Sequence, residues 1–261
     1  MKVAILSKRE EMFTGDLSHY LQSKGHIVKI YTSKNLIINQ KLLNNDLFIL
    51  KTKQLFFLYA GYFIESNNLP IYPSTETAFK NKNRIEAYYL IKQSGLLSPN
   101  IYLGKKDILK KNLSYNLGPF IQKPIMSSGS KGIKMIYKSD DIEAEEDEIV
   151  YIERFISGTH YLAYFIKDKI LVYEKEPLAN EHAPVKETEL TKDLQNIILK
   201  WKNDHNLIFG HLDLVKEKNT NKIYIVDTGC FPEFSHWKNG TDAAKSIGDL
   251  ILDLYQKKSK N

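Results

Sequence analysis

Two apolar runs, Gly210-His211-Leu212-Asp213-Leu214-Val215 and Ile223-Tyr224-Ile225-Val226-Asp227-Thr228-Gly229, each carry one aspartate, and no other feature constrains the fold of this chain more. They read as adjacent β-strands, because the polar segment Glu217-Lys218-Asn219-Thr220-Asn221-Lys222 between them is a hairpin signal. A carboxylate taken into a sheet loses hydration that only a paired cation or a metal restores. Two converging acids also offer the hard oxygens that Mg²⁺ takes, with phosphate oxygens completing its shell. An equally weighted reading ends each aspartate at the surface or pairs it with a lysine. The surroundings have to decide between them.

A length of 261 residues is enough to bury a large core and allows one or two domains. With 43% hydrophobic and 26% charged residues the chain has the balance of a globular protein and not of a disordered one. No apolar run approaches the roughly 20 residues of a membrane span. The opening Met1-Lys2-Val3-Ala4-Ile5-Leu6-Ser7 is too short for a signal peptide and reads as a buried first strand, so cytoplasmic residence is expected. Cys230 is the single cysteine, which excludes intramolecular disulfides and argues against a cysteine-built zinc site; a small buried residue explains it better than a nucleophile.

The 37 Lys and Arg against 31 Asp and Glu give a net charge of +6, which favours anionic ligands. Lysine supplies nearly all of it, the arginines being Arg9, Arg84 and Arg154, so bidentate guanidinium clamps are scarce. The basic patches Lys105-Lys106, Lys110-Lys111 and Lys257-Lys258-Ser259-Lys260 lack interleaved aromatics, and neither nucleic acid nor membrane is expected as a partner. The acidic stretch from Asp140 to Glu148 has no Gly or Asn to bend it into a calcium loop and reads as a solvated helix or loop.

The first third alternates strand and helix signals, the pattern of a parallel sheet covered by helices. Strands are expected at Val3 to Leu6, His26 to Tyr31 and Asp46 to Lys51, helices near Asp16 to Lys24 and Tyr59 to Asn67, and a short extended piece at Leu69 to Pro73. This is a Rossmann-type pattern without the Gly-x-Gly-x-x-Gly of a dinucleotide site. A helix from Asn83 to Ser94 stops at Gly95. From Pro119 hairpins dominate, with strands at Phe120 to Pro124, Ile133 to Tyr137, Ile149 to Phe155, Tyr161 to Ile166 and Lys169 to Glu174. Helices at Leu194 to His205 and Asp242 to Tyr255 flank the aspartate hairpin.

Three further segments carry chemistry. Ser127-Ser128-Gly129-Ser130-Lys131-Gly132 joins two strands; its small residues let backbone N–H groups approach phosphate, though by itself it is an ordinary hairpin turn. Lys123 stands in an apolar strand, where its ammonium either meets a nucleotide phosphate or points to the solvent face. Glu153-Arg154-Phe155-Ile156-Ser157-Gly158 reads as a strand end turning sharply at Gly158, where backbone groups could meet an adenine edge; Glu153 and Arg154 could equally be exposed edge charges.

In this order, with the Lys24-Gly25-His26-Ile27-Val28 turn, the Gly95-Leu96-Leu97-Ser98-Pro99 stop and Lys238-Asn239-Gly240-Thr241-Asp242-Ala243-Ala244, the pieces resemble the ATP-grasp superfamily over nearly the whole chain. The resemblance is greatest to the ligase type that adds glutamate to a ribosomal protein. It implies a mixed α/β and α+β fold: a Rossmann-like N-terminal domain over 1–80, a central subdomain over 81–155 and a C-terminal subdomain over 156–261. It implies that Arg84 and Lys123 contact phosphates, that Ser128, Gly129, Ser130, Lys131 and Gly132 close over them, and that Glu153, Arg154, Phe155 and Ile156 hold adenine. Asp213 and Asp227 would ligate Mg²⁺, with Mn²⁺ as an alternative.

The implied reaction phosphorylates a carboxylate with ATP and lets an amine displace the phosphate, with small-molecule or peptide substrates. Arg84 and Lys175 are the expected catalytic cations. Such chemistry rests on positioning and charge neutralisation, which suits a chain without a nucleophile triad. The sequence departs from the family in places. Gly229 stands where an asparagine usually completes the metal site, so Gly229→Asn is expected to restore a ligand. Arg84, with Lys82 nearby, replaces a lysine; Leu162 replaces a substrate-binding arginine, leaving Lys175 as the nearest basic substitute; and Asn180 to Lys192 is short for a substrate loop. Two alternatives stand beside the ligase: a kinase of the inositol-phosphate type, for which Val226-Asp227 and Phe231-Pro232 speak, and a non-catalytic nucleotide-binding module. Oligomeric state is left open.

Overall fold

The structure is a computed structural model, and it describes residues 1–81, 83–126, 132–179, 183–237 and 240–258. Its first part is an open sheet of β1 (Lys2–Leu6), β2 (Ile27–Tyr31), β3 (Leu47–Leu50) and β4 (Ile71–Tyr72), in the order β2-β1-β3-β4 with every pairing parallel. Val3 to Leu6 and all of β3 are buried, as expected of central strands covered on both faces. β2, at the edge, alternates in exposure. The covering helices are α1 (Met12–Ser23), which buries Phe13, Leu17 and Leu21, and α2 (Leu55–Ser66).

Next come α3 (Thr75–Lys80), α4 (Arg84–Gln93), β5 (Ile101–Lys105), α5 (Lys106–Asn112), β6 (Phe120–Lys123), β7 (Lys134–Ile136) and β8 (Ile149–Arg154). Asn83 caps α4 by accepting the Ile85 N–H, and Gly95 follows its end with φ +66°, which a glycine adopts without strain. The strands of this central lobe form a sheet of order β5-β8-β6-β7 with antiparallel pairings. The last part holds β9 (Gly158–Ile166), β10 (Lys169–Lys175), β11 (Val185–Glu187), α6 (Lys192–Asp204), β12 (Phe209–Glu217), β13 (Ile223–Gly229) and α7 (Gly240–Lys258). Its five strands run β11-β10-β9-β12-β13, again antiparallel.

The sequence pattern does not disclose α3, β5, α5 or β11, and it starts α2 late. α3 is six residues long, too short to display a helical period, and is set by its Ser74 cap. The acidic stretch is loop after a single 3₁₀ turn at Ser139–Asp141, not a helix. Gly158 does not make the sharp turn expected of it. It opens β9 against β12, where a Cβ would overlap the Lys216 carbonyl oxygen.

Buried side chains gather into three cores. The first joins Leu6, Phe48 and Leu50 of the parallel sheet to Phe165, Leu212 and Ile225 of the five-stranded sheet. The second joins Val3, Ile5 and Leu17 to Tyr164, Phe209, Phe234 and Ile247. The third, built on Leu109, Phe120, Ile136, Val150 and Ile152, lies within the central lobe. The lobe therefore stands apart, and a cleft runs between it and the five-stranded sheet.

Candidate functional site

Register assembles the floor of the cleft. β12 and β13 pair so that Asp213 lies opposite Asp227 and His211 opposite Gly229. Strand alternation puts all four positions on one face of the sheet. On the other side of β12, Leu162 lies opposite Asp213 and His160 opposite Val215, while Lys175 on β10 lies opposite His160. Lys175 reaches back to donate to Asp213 Oδ2 at 2.9 Å. Asp213 is thus a lysine-paired carboxylate, but its Oδ1 is buried without a partner.

Asp227 accepts the Thr228 N–H at 3.0 Å. Burial pushes its carboxyl up, yet the nearby Arg84, Lys123, Lys53 and His211 outweigh that and hold it down at about 2. Asp227 is an ionised carboxylate ringed by cations and does not end its strand at the surface.

The roof and back wall come from the central lobe. Lys123, 6% exposed, forms an ion pair with Glu153, 3% exposed, and donates to the Val226 carbonyl at 3.0 Å. The solvent-face reading of Lys123 is thereby overturned, as is the edge-charge reading of Glu153, which also accepts from the Tyr151 hydroxyl at 3.1 Å. Arg154 does point outward, and pairs with Glu217 at 2.8 Å. Arg84, buried at the start of α4, donates to the Pro124 carbonyl beside Asp227. Lys123, Glu153, Phe155, Ile156, Lys175, Asp213 and Asp227 together line an open cleft.

The segment Glu153 to Ile156 forms one end of the cleft. The Arg154 N–H donates to the Asn100 carbonyl and the Phe155 N–H to the Pro119 carbonyl, each at 3.0 Å, so two amides counted toward an adenine edge are engaged within the protein. Of the Ser/Gly loop, Ser128, Gly129, Ser130 and Lys131 lie outside the described residues, as do Lys82, Asn180 to His182 and Lys238-Asn239. Gly132 is described: its φ is +72°, and a Cβ there would come within 2.8 Å of Pro124.

Sequence reasoning passed over His160, His211 and Lys53. The first two share the face of the aspartates by strand alternation, a signal that appears once the register is known. Lys53 acts on Asp227 through space from the end of the parallel sheet. Gly229 carries a correction as well. A Cβ there would overlap His211 Cε1 and lie 2.5 Å from its Nδ1, so Gly229→Asn cannot simply restore a ligand.

The donor set fits a divalent cation held jointly with phosphate: Asp213 has an orphaned oxygen and Asp227 is held ionised. Among the described residues no group of three His, Cys, Asp or Glu side chains is gathered closely enough to hold a metal by itself.

No protein-family model matches the chain. Among curated proteins, the D-alanine–D-alanine ligase of Buchnera aphidicola subsp. Schizaphis graminum is 25% identical over 193 residues, which cover 60% of this chain and 62% of that relative's length. Among solved structures, the RimK-domain ATP-grasp protein of Sphaerobacter thermophilus superposes with a TM-score of 0.78 at 13% identity, covering 97% of this chain and 100% of that one. The ATP-grasp ligase PsnB, solved with a minimal precursor, Mg and ADP, gives a TM-score of 0.68 at 10% identity, covering 97% and 98%. Both superpositions extend over all three sheets, and the chain has the ATP-grasp fold.

Proposed function

We propose that the chain is an ATP- and Mg²⁺-dependent carboxylate–amine ligase that forms an acyl phosphate and releases ADP. The observation that carries this reading is the cleft itself, where Lys123, Arg84 and Lys175 surround the facing pair Asp213 and Asp227. A nucleoside triphosphate entering it would meet Lys123 and Arg84 from the central lobe, and Lys175 beside the two aspartates from the five-stranded sheet. Asp213 and Asp227 would hold the metal, which would supply neutralisation of phosphate charge. Arg84 and Lys123 stabilise charge on the transferring phosphoryl group, and Lys175 serves the substrate side. Glu153 to Ile156 flank the adenine; the remaining expected phosphate contacts, Ser128 to Lys131, lie outside the described residues.

That PsnB was solved with a precursor, Mg and ADP supports a metal–nucleotide pair here and makes a peptide one candidate carboxylate or amine, beside small molecules such as amino acids. The divisions 1–80, 81–155 and 156–261 and cytoplasmic residence belong to the same reading. Among the described residues no helix is long and apolar enough to cross a membrane.

The test incubates the protein with ATP, Mg²⁺ and a panel of amino acids, peptides and inositol phosphates. Stoichiometric ADP and a new amide are expected. A phosphorylated product would instead establish the kinase, and nucleotide binding without ADP across the panel would establish the module.

A further inference from the structure

His160 lines the cleft and has no part in the metal and phosphate assignments. It stands on β9 and is 7% exposed. Its ring stacks on Phe155, with centroids 6.1 Å apart and planes 29° apart, and in register it lies between Lys175 on β10 and Val215 on β12. The Ile156 carbonyl accepts from one ring nitrogen, while Nε2 is buried without a partner. A carbonyl can only accept, so the nitrogen facing it, Nδ1, carries the proton of the neutral ring and leaves Nε2 a bare acceptor. Burial favours that neutral form by holding the imidazole below its usual range. A buried acceptor is seldom left unmatched, and this one asks for a donor from whatever occupies the cleft.

We propose that His160 Nε2 accepts a hydrogen bond from a ribose hydroxyl of the bound nucleotide, and that this contact makes the site prefer a ribonucleotide to its deoxy analogue. This rests on the nucleotide reading above and deepens it. The place of the ring along the cleft carries the inference. On one side is Phe155, at the end given to adenine. On the other are Lys175 and, two residues from Val215 along β12, Asp213, at the end given to phosphate and metal. In a nucleotide the sugar joins those two parts, and its hydroxyls are donors. Ionised phosphate oxygens only accept and cannot satisfy Nε2. The Lys175 ammonium is directed to Asp213 instead. One nitrogen lone pair meets one hydroxyl, so a single position on the sugar should matter.

Calorimetric titration of the full chain, in the presence of Mg²⁺, with ADP, 2′-deoxy-ADP, 3′-deoxy-ADP and 2′,3′-dideoxy-ADP tests this. The wild type should bind one of the two monodeoxy nucleotides about tenfold more weakly than ADP, the size of one hydrogen bond lost at a buried acceptor. His160→Phe keeps a ring beside Phe155 and removes the acceptor, and should bring that ratio close to one. In wild-type protein labelled with ¹⁵N-histidine, the Nε2 resonance of His160 should move when ADP binds and move much less with the dideoxy nucleotide. Equal affinity of the wild type for all four nucleotides overturns the assignment and leaves the nucleotide site standing, as does a preference that survives in His160→Phe. A resonance that moves as far with the dideoxy nucleotide as with ADP gives the contact to the base and overturns the sugar assignment. Failure of the wild type to bind any of the four overturns both readings. The labelled wild type decides alone if the variant fails to fold.

Discussion

The ion pair of Lys123 and Glu153 shows how little of a buried site lies in any one residue's neighbourhood. Lys123 pairs in register with Tyr151, and Glu153, two residues further on β8, returns to the same face. Sequence alone discloses that an ammonium in an apolar strand needs a partner, but its partner depends on the register of β6 against β8, which no local pattern encodes. Removing one member strands the other charge. Glu153→Ala is therefore expected to cost about 3–5 kcal/mol in urea unfolding. Arg154→Ala, at the exposed pair beside it, should cost no more than about 1 kcal/mol.

Asp227 supplies a pH prediction. Its folded value of about 2 lies below the ordinary 3.8, so its stabilisation is fully present above about pH 4 and is lost as pH falls through 2. Thermal unfolding followed between pH 4 and 2 should show a shallower loss of stability for Asp227→Asn than for wild type. The same variant, and Asp213→Asn, should weaken binding of the metal–ADP pair; unchanged affinity would remove both from the site.

At the scale of elements, legibility followed length and burial. The central strands β1 and β3, the aspartate hairpin, and α6 with its stripe of Leu194, Ile198 and Trp201 were plain in the pattern. What escaped was short or at an edge: α3, α5 and β11 offer too few residues for a period to repeat, and β5, an edge strand, buries none of its residues. Gly158 was noticed for the wrong reason. Its role is close approach of β9 to β12, a tertiary contact that a turn signal imitates.

Two glycine substitutions separate these cases. Gly158→Ala should destabilise by about 1–3 kcal/mol, because the added methyl meets backbone that cannot yield. Gly15→Ala, inside α1 with nothing within 4 Å of its Cβ, should stabilise by about 0.5–1 kcal/mol through helix propensity. Denaturation midpoints moving in opposite directions would confirm both.

Across the whole molecule, the parallel sheet and the five-stranded sheet share two cores, while the central lobe has a small one to itself. Helices α1 and α7 pack together, with the Tyr20 hydroxyl donating to Asp249, and close this larger body. Hydrogen exchange should accordingly show β5, β6 and β8 opening at lower free energy than β1, β3, β9 and β12.

A second global signature comes from Lys51, at the end of the parallel sheet, which pairs with Glu233 beyond β13 while Glu11 lies alongside. Burial, with the neighbouring Glu11 carboxyl, pushes Glu233 up to about 7. A carboxyl raised on folding stabilises below its ordinary 4.5 and loses that contribution as pH rises through 7. The melting temperature should fall between pH 5 and pH 8 in the wild type, and less in Glu233→Gln.

The private core of the central lobe also bears on how such chains diverge. A volume change at Leu109, Phe120, Ile136 or Val150 is felt by the other members of that core and reaches neither of the two shared ones. Homologous sequences should therefore show covariation among these positions that ends near residue 154, leaving the lobe able to be retuned while the carboxylate face opposite keeps its shape.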